Sequence, residues 1–215
     1  FFAVCGTQSD GHNYIASAIE SGAVAVVCQE LPQQLNEGVS YIVVEDSNKA
    51  MADMAAAYYD YPSEELELVG VTGTNGKTTS CFIIKSVLDK LGHKTGLIGT
   101  VKNMVGDKEF HTELTTPDPY DMHKLFKMMA DDGIKHCVME TSSQAFHQMR
   151  LAGIHFKVGV FTNLTQDHLD YHGNMENYYD AKKKLFTDHC ETAIINIDDK
   201  YGLRLYEELA ERKDI

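Results

Sequence analysis

The chain is organised around a glycine-rich segment with the sequence Val69-Gly70-Val71-Thr72-Gly73-Thr74-Asn75-Gly76-Lys77-Thr78-Thr79-Ser80. An apolar run that starts at Leu66 predicts a buried strand before it, and residues 79–91 follow it with the apolar spacing of a helix. Strand, glycine-rich turn, Gly-Lys-Thr and helix are together typical of a phosphate-binding loop. In such a loop, backbone N–H groups and the helix N-terminus face an anion, the lysine adds positive charge, and the threonine hydroxyl binds Mg²⁺.

The match to the strict phosphate-loop pattern G-x-x-x-x-G-K-[ST] is incomplete. Val71 occupies the position of its first glycine, and the nearby glycines are Gly70 and Gly73. An ordinary glycine-rich strand–helix turn with a surface lysine is therefore an alternative. The flanking strand and helix favour the nucleotide-phosphate site.

Composition narrows the class of protein. With 43% hydrophobic and 24% charged residues, the 215-residue chain has the composition of a soluble globular protein. Its net charge of −13 argues against surfaces for nucleic acid or anionic membranes. Five dispersed cysteines without a C-x-x-C pair favour free thiols in a reducing cytoplasm. We expect no membrane partner, because no apolar run reaches the roughly 18–20 residues that cross a bilayer. A cytoplasmic monomer without a nucleic-acid partner is predicted.

Two domains are predicted, residues 1–62 and 63–215, because Pro62 and its polar neighbours resemble a linker. Residues 1–4 look like a strand entered part-way, with neither an initiator methionine nor a signal peptide. The sequence also stops directly after a charged helix, at residues 212–215. We therefore expect the sequence to be a piece of a longer protein.

The predicted fold class is α/β. The first domain is expected to be part of a small α/β unit, with strands at 2–4, 23–28 and 41–44 and helices at 13–21 and 49–58. From Leu66 onward strands and helices alternate, which predicts a doubly wound, mostly parallel sheet. After the phosphate loop and its helix, strands are predicted at 95–100, 136–141, 158–164 and 192–197, helices at 120–131, 144–151, 175–186 and 201–211, and a hairpin or long loop at 102–116.

Polar residues follow two of the predicted strands, at the carboxyl edge where ligands of such sheets bind. If both strands lie beside the phosphate-loop strand, Glu140, Asn163, Asp167 and His168 meet near the terminal phosphate. A carboxylate and a neutral imidazole there suit Mg²⁺ or Mn²⁺. Two alternatives stay open: Glu140 could cap a helix, and His168 could be a hydrogen-bonded structural histidine. For His172 we expect a role in shaping a turn.

Four motifs in this order resemble the Mur ligase family. They are Thr72-Gly73-Thr74-Asn75-Gly76-Lys77-Thr78-Thr79, Thr115-Thr116-Pro117-Asp118, Glu140-Thr141-Ser142-Ser143 and Thr162-Asn163-Leu164-Thr165-Gln166-Asp167-His168-Leu169-Asp170-Tyr171-His172-Gly173. The resemblance extends over nearly the whole chain, since Asp10-Gly11-His12 and residues 22–27 are similar to the latter part of the family's UDP-binding first domain. The phosphate loop is shared with folylpolyglutamate and cyanophycin synthetases. The second and fourth motifs are therefore the ones that distinguish the Mur ligase family from these enzymes.

The resemblance implies an ATP-dependent amide-bond ligase of peptidoglycan synthesis. It would add the third residue, a diamino acid, to UDP-N-acetylmuramoyl-L-Ala-D-Glu, by way of an acyl phosphate that the incoming amine attacks. Such catalysis depends on positioning and charge neutralisation more than on a protein nucleophile. ATP and Mg²⁺ are the implied cofactors. The sequence does not distinguish L-lysine from meso-diaminopimelate as the amino acid.

The resemblance also implies roles for individual residues. The implied nucleotide contacts are Gly73, Thr74, Asn75, Gly76, Lys77, Thr78, Thr79 and Asn163. The implied substrate contacts are Thr115, Thr116, Ser142, Gln148 and Arg150. Mg²⁺ would be held by Thr78, Glu140, His168 and Lys182, the last as a carbamate, and the catalytic residues would be Lys77, His168 and Lys182. A guanidinium suits a carboxylate or phosphate, although Arg150 could also be solvated at a helix end.

Lys182 is the first of three consecutive lysines, which usually form a solvated charge run. In a helix, however, Tyr178 and Tyr179 precede it by four and three residues, and Leu185 and Phe186 follow by three and four. Lys182 therefore lies in the apolar stripe. An ammonium group there is costly unless it is paired or loses its proton. In the family the lysine at this motif position is carbamylated, and burial that lowers its pKa favours that reaction.

The sequence also departs from the family. The Asp-Ser-Arg segment that holds uridine and the third domain that selects the diamino acid lie outside it, and Gln144 replaces a common histidine. We therefore expect the 215-residue chain alone to be inactive. Two other functions remain: another amide ligase, of the folylpolyglutamate or cyanophycin synthetase type, and a nucleotide-binding module without ligase activity. The Thr115-to-Asp118 string weighs against folylpolyglutamate synthetase, and retention of Glu140, His168 and Lys182 weighs against the binding module.

Overall fold

The structure is a computed structural model that describes residues 1–6 and 9–210. Two sheets organise it, a small parallel pair near the N-terminus and a seven-stranded sheet in the remainder. The predicted α/β class with a doubly wound, mostly parallel sheet is confirmed. Among the described residues no helix has the length and apolar character needed to span a bilayer.

The N-terminal unit contains β1 (Ala25–Cys28) and β2 (Ser40–Val43), which pair in parallel, and helices α1 (Ile15–Glu20) and α2 (Ser47–Tyr58). A 3-10 turn at Gly11–Tyr14 precedes α1, so the predicted helix at 13–21 is shorter and starts differently. The predicted strand at 2–4 is wrong in extent, because only Phe2 forms a bridge, to Val27.

The large sheet has the strand order β6-β5-β4-β7-β3-β8-β9. Its parallel strands are β3 (Glu67–Thr72), β4 (Thr95–Ile98), β7 (His136–Glu140), β8 (Phe156–Phe161) and β9 (Cys190–Ile195). The phosphate-loop strand β3 is central, between β7 and β8. Residues 102–116 contain a hairpin of β5 (Asn103–Val105) and β6 (Lys108–Phe110), followed by a loop.

The helices of this part are α3 (Lys77–Lys90), α4 (Pro119–Asp131), α5 (Ser143–His147), α6 (Leu169–His172), α7 (Met175–Lys184) and α8 (Lys200–Ala210). Helix α3 begins two residues earlier than predicted, because Gly76 ends the loop in the left-handed region, at φ 85°. Helix α7 continues into a π-helical turn at Leu185–His189. Glu211, the predicted end of the last helix, and residues 212–215 lie outside the described residues.

Apolar side chains pack on both faces of the large sheet, as expected of parallel strands covered by helices. One cluster includes Leu68 and Phe156 with Tyr178 of α7, and the other includes Val71 and Leu97 beneath α3. This packing aligns the carboxyl ends of β3, β4, β7 and β8 at one edge of the sheet. The candidate site lies along that edge.

Candidate functional site

The phosphate loop is fastened to the end of β8. Gly73 adopts φ 145°, and a Cβ there would overlap the hydroxyl oxygen of Thr162. That hydroxyl donates a hydrogen bond to the carbonyl oxygen of Asn75, at 2.7 Å. Only glycine allows the backbone of the loop to approach β8 this closely.

Asn163 fastens the same loop through three hydrogen bonds. Its Oδ1 accepts from the N–H of Asn75 at 3.0 Å, and its Nδ2 donates to the carbonyl oxygen of Asn75 at 3.1 Å. Its own carbonyl oxygen accepts from the N–H of Thr74 at 2.9 Å. Asn163, which the sequence places among the nucleotide contacts, thus sets the shape of the loop in this structure.

The side-chain nitrogens of two lysines donate to one carbonyl oxygen, that of Gly73. Lys77 Nζ lies 2.9 Å from it and also donates to the carbonyl oxygen of Thr74, and Lys182 Nζ lies 2.9 Å from the Gly73 oxygen. Burial lowers the pKa of Lys77, although the charge of Glu140 opposes that shift. Burial, and then the charge of Lys77, lower the pKa of Lys182 well below its ordinary value.

Glu140 and Thr78 form an oxygen-rich pair beside the loop. The Glu140 side chain is buried at the end of β7, and its Oε1 accepts from the Thr78 hydroxyl at 2.9 Å. The backbone N–H of Thr100 donates to the same oxygen at 2.9 Å, and the Thr100 hydroxyl donates to Oε2 at 3.1 Å. A hydroxyl and a carboxylate are hard oxygen donors, so their chemistry fits Mg²⁺.

A cleft of about 290 Å³ opens next to these groups. All five predicted substrate residues line it, together with all three predicted catalytic residues: Thr115, Thr116, Ser142, Gln148, Arg150, Lys77, His168 and Lys182. Buried Thr116 anchors this wall, because its hydroxyl donates to the carbonyl oxygen of Glu140 at 2.9 Å. The structure therefore brings the predicted substrate residues to the phosphate loop.

Arg150 is held against the wall of the cleft, with only 14% of its side chain exposed. Its Nη1 donates to the carbonyl oxygen of Thr116 at 2.8 Å, and its Nε lies 3.3 Å from Oδ1 of Asp118. Its Nη2 donates to Oε1 of Gln148, whose Nε2 in turn donates to the Tyr171 hydroxyl at 3.1 Å. These contacts exclude the solvated alternative for Arg150.

His168 and Thr79 are placed differently from each other. His168 precedes α6 with φ 50°, lines the cleft, and has its Nε2 3.6 Å from a carboxylate oxygen of Asp167. Thr79 is exposed on the first turn of α3, along a groove that also includes Phe82 and Ile83. The structure thus places Thr79, a predicted nucleotide contact, in that groove instead of the cleft.

His172 does more than shape a turn, so that expectation is corrected. It is buried, its Nε2 lies 2.8 Å from the Ser143 hydroxyl, and its ring stacks on Tyr178 at 5.0 Å. Burial, and then the charge of Lys182, lower the pKa of His172 to about 4. The Tyr178 ring also lies 4.6 Å from Lys182 Nζ. The sequence reasoning missed this aromatic support, although Tyr178 lies in the same helical stripe as Lys182.

Comparison with known protein families matches residues 71–214 to the Mur ligase middle domain and residues 1–59 to the catalytic domain of the Mur ligase family. The chain belongs to the Mur ligase family. All residues that line the cleft lie within the middle-domain match of this Mur ligase chain.

Relatives within the Mur ligase family agree in their names. A protein of Bacteroides fragilis named UDP-N-acetylmuramoyl-L-alanyl-D-glutamate--2,6-diaminopimelate ligase is 51% identical over 205 residues, 94% of this chain and 42% of the relative. A Clostridium acetobutylicum protein with the same name and the number 1 is 49% identical over 213 residues, 99% of this chain and 44% of the relative. The chain therefore spans less than half the length of these Mur ligases.

Solved structures show the same architecture. A structure titled for a UDP-N-acetylmuramoyl-L-alanyl-D-glutamate--2,6-diaminopimelate ligase has a TM-score of 0.77 at 27% identity, covering 95% of this chain and 41% of that one. A Thermotoga maritima MurF ligase in complex with ADP has a TM-score of 0.55 at 21% identity, covering 98% of this chain and 44% of that one. The second comparison shows the shared Mur ligase fold alone.

Proposed function

We propose that the full-length protein is an ATP-dependent ligase that adds a diamino acid to UDP-N-acetylmuramoyl-L-Ala-D-Glu in peptidoglycan synthesis. The observation that carries the proposal is a cleft lined by Lys77 of the phosphate loop and by the five predicted substrate residues, with the Thr78–Glu140 pair beside the loop. The names of relatives at about 50% identity support it. Those names specify 2,6-diaminopimelate, which favours this diamino acid over L-lysine.

The phosphate loop would bind the β- and γ-phosphates of ATP. Backbone N–H groups of residues 73–78 and the N-terminus of α3 provide donors, and Lys77 provides the charge. Lys77 now donates to two loop carbonyl oxygens, and an arriving phosphate would offer its ammonium group a charged acceptor instead. Asn163 would act by holding Asn75 and the loop in shape.

Thr78 and Glu140 would hold one Mg²⁺, and His168 and the carbamate of Lys182 would hold a second. Bound Mg²⁺ neutralises the charge of the phosphate oxygens. The carbamate would form by attack of the neutral Lys182 amine on CO₂: the N–C bond forms, one C=O π pair moves onto oxygen as the carbamate charge, and the nitrogen releases one proton. Burial lowers the pKa of Lys182, and this direction favours the neutral amine that the reaction needs.

Arg150 and its neighbours would bind the muramoyl peptide. A guanidinium has five N–H donors, and the contacts of Arg150 in the structure leave part of them free for a carboxylate. Thr115, Thr116, Ser142 and Gln148 line the same wall and would orient the substrate. Its carboxylate would thus be held near the γ-phosphate, so that catalysis comes from positioning.

The cytoplasm is the proposed location, since ATP and the nucleotide-linked substrate belong to that compartment. The five cysteines are free thiols, which suits a reducing environment. We propose that the protein works there as a monomer.

The test is ADP release by the full-length protein with ATP, Mg²⁺, UDP-N-acetylmuramoyl-L-Ala-D-Glu and either meso-diaminopimelate or L-lysine. We expect release that requires the dipeptide substrate and meso-diaminopimelate. Lys77→Ala should abolish it, and Lys90→Ala, at the far end of the same helix, should not. Turnover with a folate substrate would instead support the folylpolyglutamate alternative. Nucleotide binding without turnover would support the binding module.

A further inference from the structure

Thr100 contacts both oxygens of the Glu140 carboxylate. It follows β4 at the carboxyl edge of the sheet, where its N–H donates to Oε1 at 2.9 Å and its hydroxyl donates to Oε2 at 3.1 Å. The Thr78 hydroxyl shares Oε1 at 2.9 Å, and Glu140 is only 1% exposed. Oε1 therefore accepts from the Thr78 hydroxyl and the Thr100 N–H, and Oε2 accepts from the Thr100 hydroxyl.

The Thr100 hydroxyl lies between Glu140 and a residue of the cleft wall. It donates to Oε2 of Glu140 at 3.1 Å and is also placed to donate to the Thr115 hydroxyl at 3.0 Å. Its single proton therefore has two acceptors within reach. Thr115 lines the cleft, so hydrogen bonds join Glu140 through Thr100 to the cleft wall.

Gly99 leaves the space that this arrangement needs. A Cβ on Gly99 would overlap Oε1 of Glu140. The Gly99 N–H donates to Oδ1 of Asn103 at 3.2 Å, and Asn103 is only 4% exposed. A buried side chain therefore holds the backbone next to Thr100. The backbone that carries Thr100 is thus fixed independently of Glu140.

We propose that Thr100 is a positioning residue, which orients Glu140 towards Thr78 for metal binding and links Glu140 to the substrate residue Thr115. The proposal rests on the proposed function, because that function assigns Mg²⁺ to Glu140. Groups of this kind, which hold a metal ligand in place, typically change metal affinity by about 10–100-fold when they are removed.

The test compares Thr100→Val with Thr100→Ser in the 215-residue chain. Val matches Thr in shape and keeps the backbone N–H but lacks the hydroxyl, whereas Ser keeps the hydroxyl. The probe is Mn²⁺ titrated by electron paramagnetic resonance in the presence of ADP. T100V should weaken Mn²⁺ binding about tenfold, and T100S should restore it to within about twofold of the original chain. ADP binding without metal should be the same in all three proteins, which a general structural defect would not allow.

Two further variants keep the result interpretable. Gly99→Ala retains both hydroxyls, but its new Cβ would displace Oε1, so it should lower Mn²⁺ affinity as T100V does. Adding T100V to a Glu140→Ala protein should cause no further loss. Unchanged Mn²⁺ affinity in T100V, or equal losses in T100V and T100S, would overturn the proposal.

A structure of T100V without nucleotide separates this proposal from the proposed function. We expect the Glu140 carboxylate to leave the Thr78 hydroxyl, and retention of their contact at 2.9 Å would contradict the positioning role. Failure of the original chain to bind Mn²⁺ with ADP would count against the proposed function. The orientation of Glu140 in the metal-free crystal would still decide the role of Thr100.

Discussion

Lys77 and Lys182 share one carbonyl oxygen as hydrogen-bond acceptor but differ in how strongly their surroundings lower the pKa. Both donate to Gly73, and both lose solvation through burial. Lys182 is fully buried, and the charge of Lys77 also repels a proton on it. Of the two lysines, Lys182 is therefore the one whose protonated form is less favourable. The proposed carbamate requires a neutral amine, and burial favours that form at Lys182.

Replacement of Lys182 should therefore remove a function that its neighbours do not share. We expect Lys182→Ala in the full-length ligase to lose activity by about 10–100-fold or more, as loss of a metal-site group does. High bicarbonate should not restore it, whereas short-chain carboxylic acids should restore part of it by occupying the place of the carbamate. The matched control is Lys184→Ala, which should keep its activity. Full activity in Lys182→Ala would contradict this assignment.

His123 of α4 is a buried residue outside the cleft. It is 1% exposed, and among the described residues neither ring nitrogen has a hydrogen-bond partner. Its ring packs against Phe126 at 5.8 Å, and burial lowers its pKa to about 4. A buried polar group without a partner costs about 1–3 kcal/mol, so this site reduces the free energy of unfolding.

His123→Leu should raise the melting temperature and weaken its dependence on pH. The unfolded chain binds a proton near pH 6.5 and the folded chain near pH 4, so stability is fully present above pH 6.5 and is lost as pH falls towards 4. The difference between the two pKa values corresponds to roughly 3 kcal/mol of unfolding free energy. Melting curves between pH 7 and pH 4 test it, with exposed His155→Leu as control. A variant that melts lower than the original chain at pH 7 would refute the prediction.

At the scale of elements, helix α7 has two contacts. Its Lys182 lines the cleft, and its Tyr179 and Lys183 contact α8. Glu208 of α8 accepts from Lys183 at 2.6 Å, from Arg204 at 2.7 Å and from the Tyr179 hydroxyl at 2.9 Å. Partial burial alone would raise the pKa of Glu208, but these hydrogen bonds outweigh it and lower the pKa to about 2. Lys182 thus faces the cleft while the next lysine fastens α8 to α7.

Loss of this carboxylate should loosen α8. Glu208→Gln should lower the unfolding free energy by about 1 kcal/mol at pH 7, since the group is partly exposed. A folded pKa below the ordinary 4.5 gives stability that is present above pH 4.5 and disappears as pH falls towards 2. The gap between variant and original chain should therefore shrink in acid. Exposed Glu207→Gln is the matched control, and an equal effect of both substitutions would argue against the network.

Patterns along single elements were predictable from the sequence, and contacts between distant strands were not. Helical spacing placed Lys182 in the apolar stripe of α7, and its 1% exposure confirms that burial. The contact of Thr100 with Glu140 was missed because it depends on β4 lying beside β7, an order that the sequence does not contain. The strand-end rule that identified Glu140 applies equally to Thr100 and would have placed it at the same edge of the sheet, although not in contact with Glu140. His172 was underestimated for a similar reason, since its partner Ser143 is 29 residues away.

At the scale of the whole molecule, the described residues form a cleft at one edge of the large sheet. Lys77 after β3, Ser142 after β7 and His168 after β8 line a cleft of about 290 Å³ at the carboxyl edge of the seven-stranded sheet. The chain spans 44% of the length of its relative from Clostridium acetobutylicum. A ligase of the kind proposed above must also hold a second amino acid and exclude water from the acyl phosphate.

We expect the isolated 215-residue chain to bind Mg²⁺ with ADP but not to catalyse ligation. The groups that would bind phosphate and metal lie within this chain. Lys77 contacts the loop carbonyl oxygen of Gly73, and the Thr78 hydroxyl contacts Glu140. Ligation also requires the diamino acid to be fixed next to the activated carboxylate, and positioning of this kind accounts for about 7–11 kcal/mol of a barrier. The measurement is tripeptide product by mass spectrometry after incubation with all substrates, with Lys77→Ala as control. Product above that control would show that the described cleft is sufficient for catalysis, and this expectation would then be wrong.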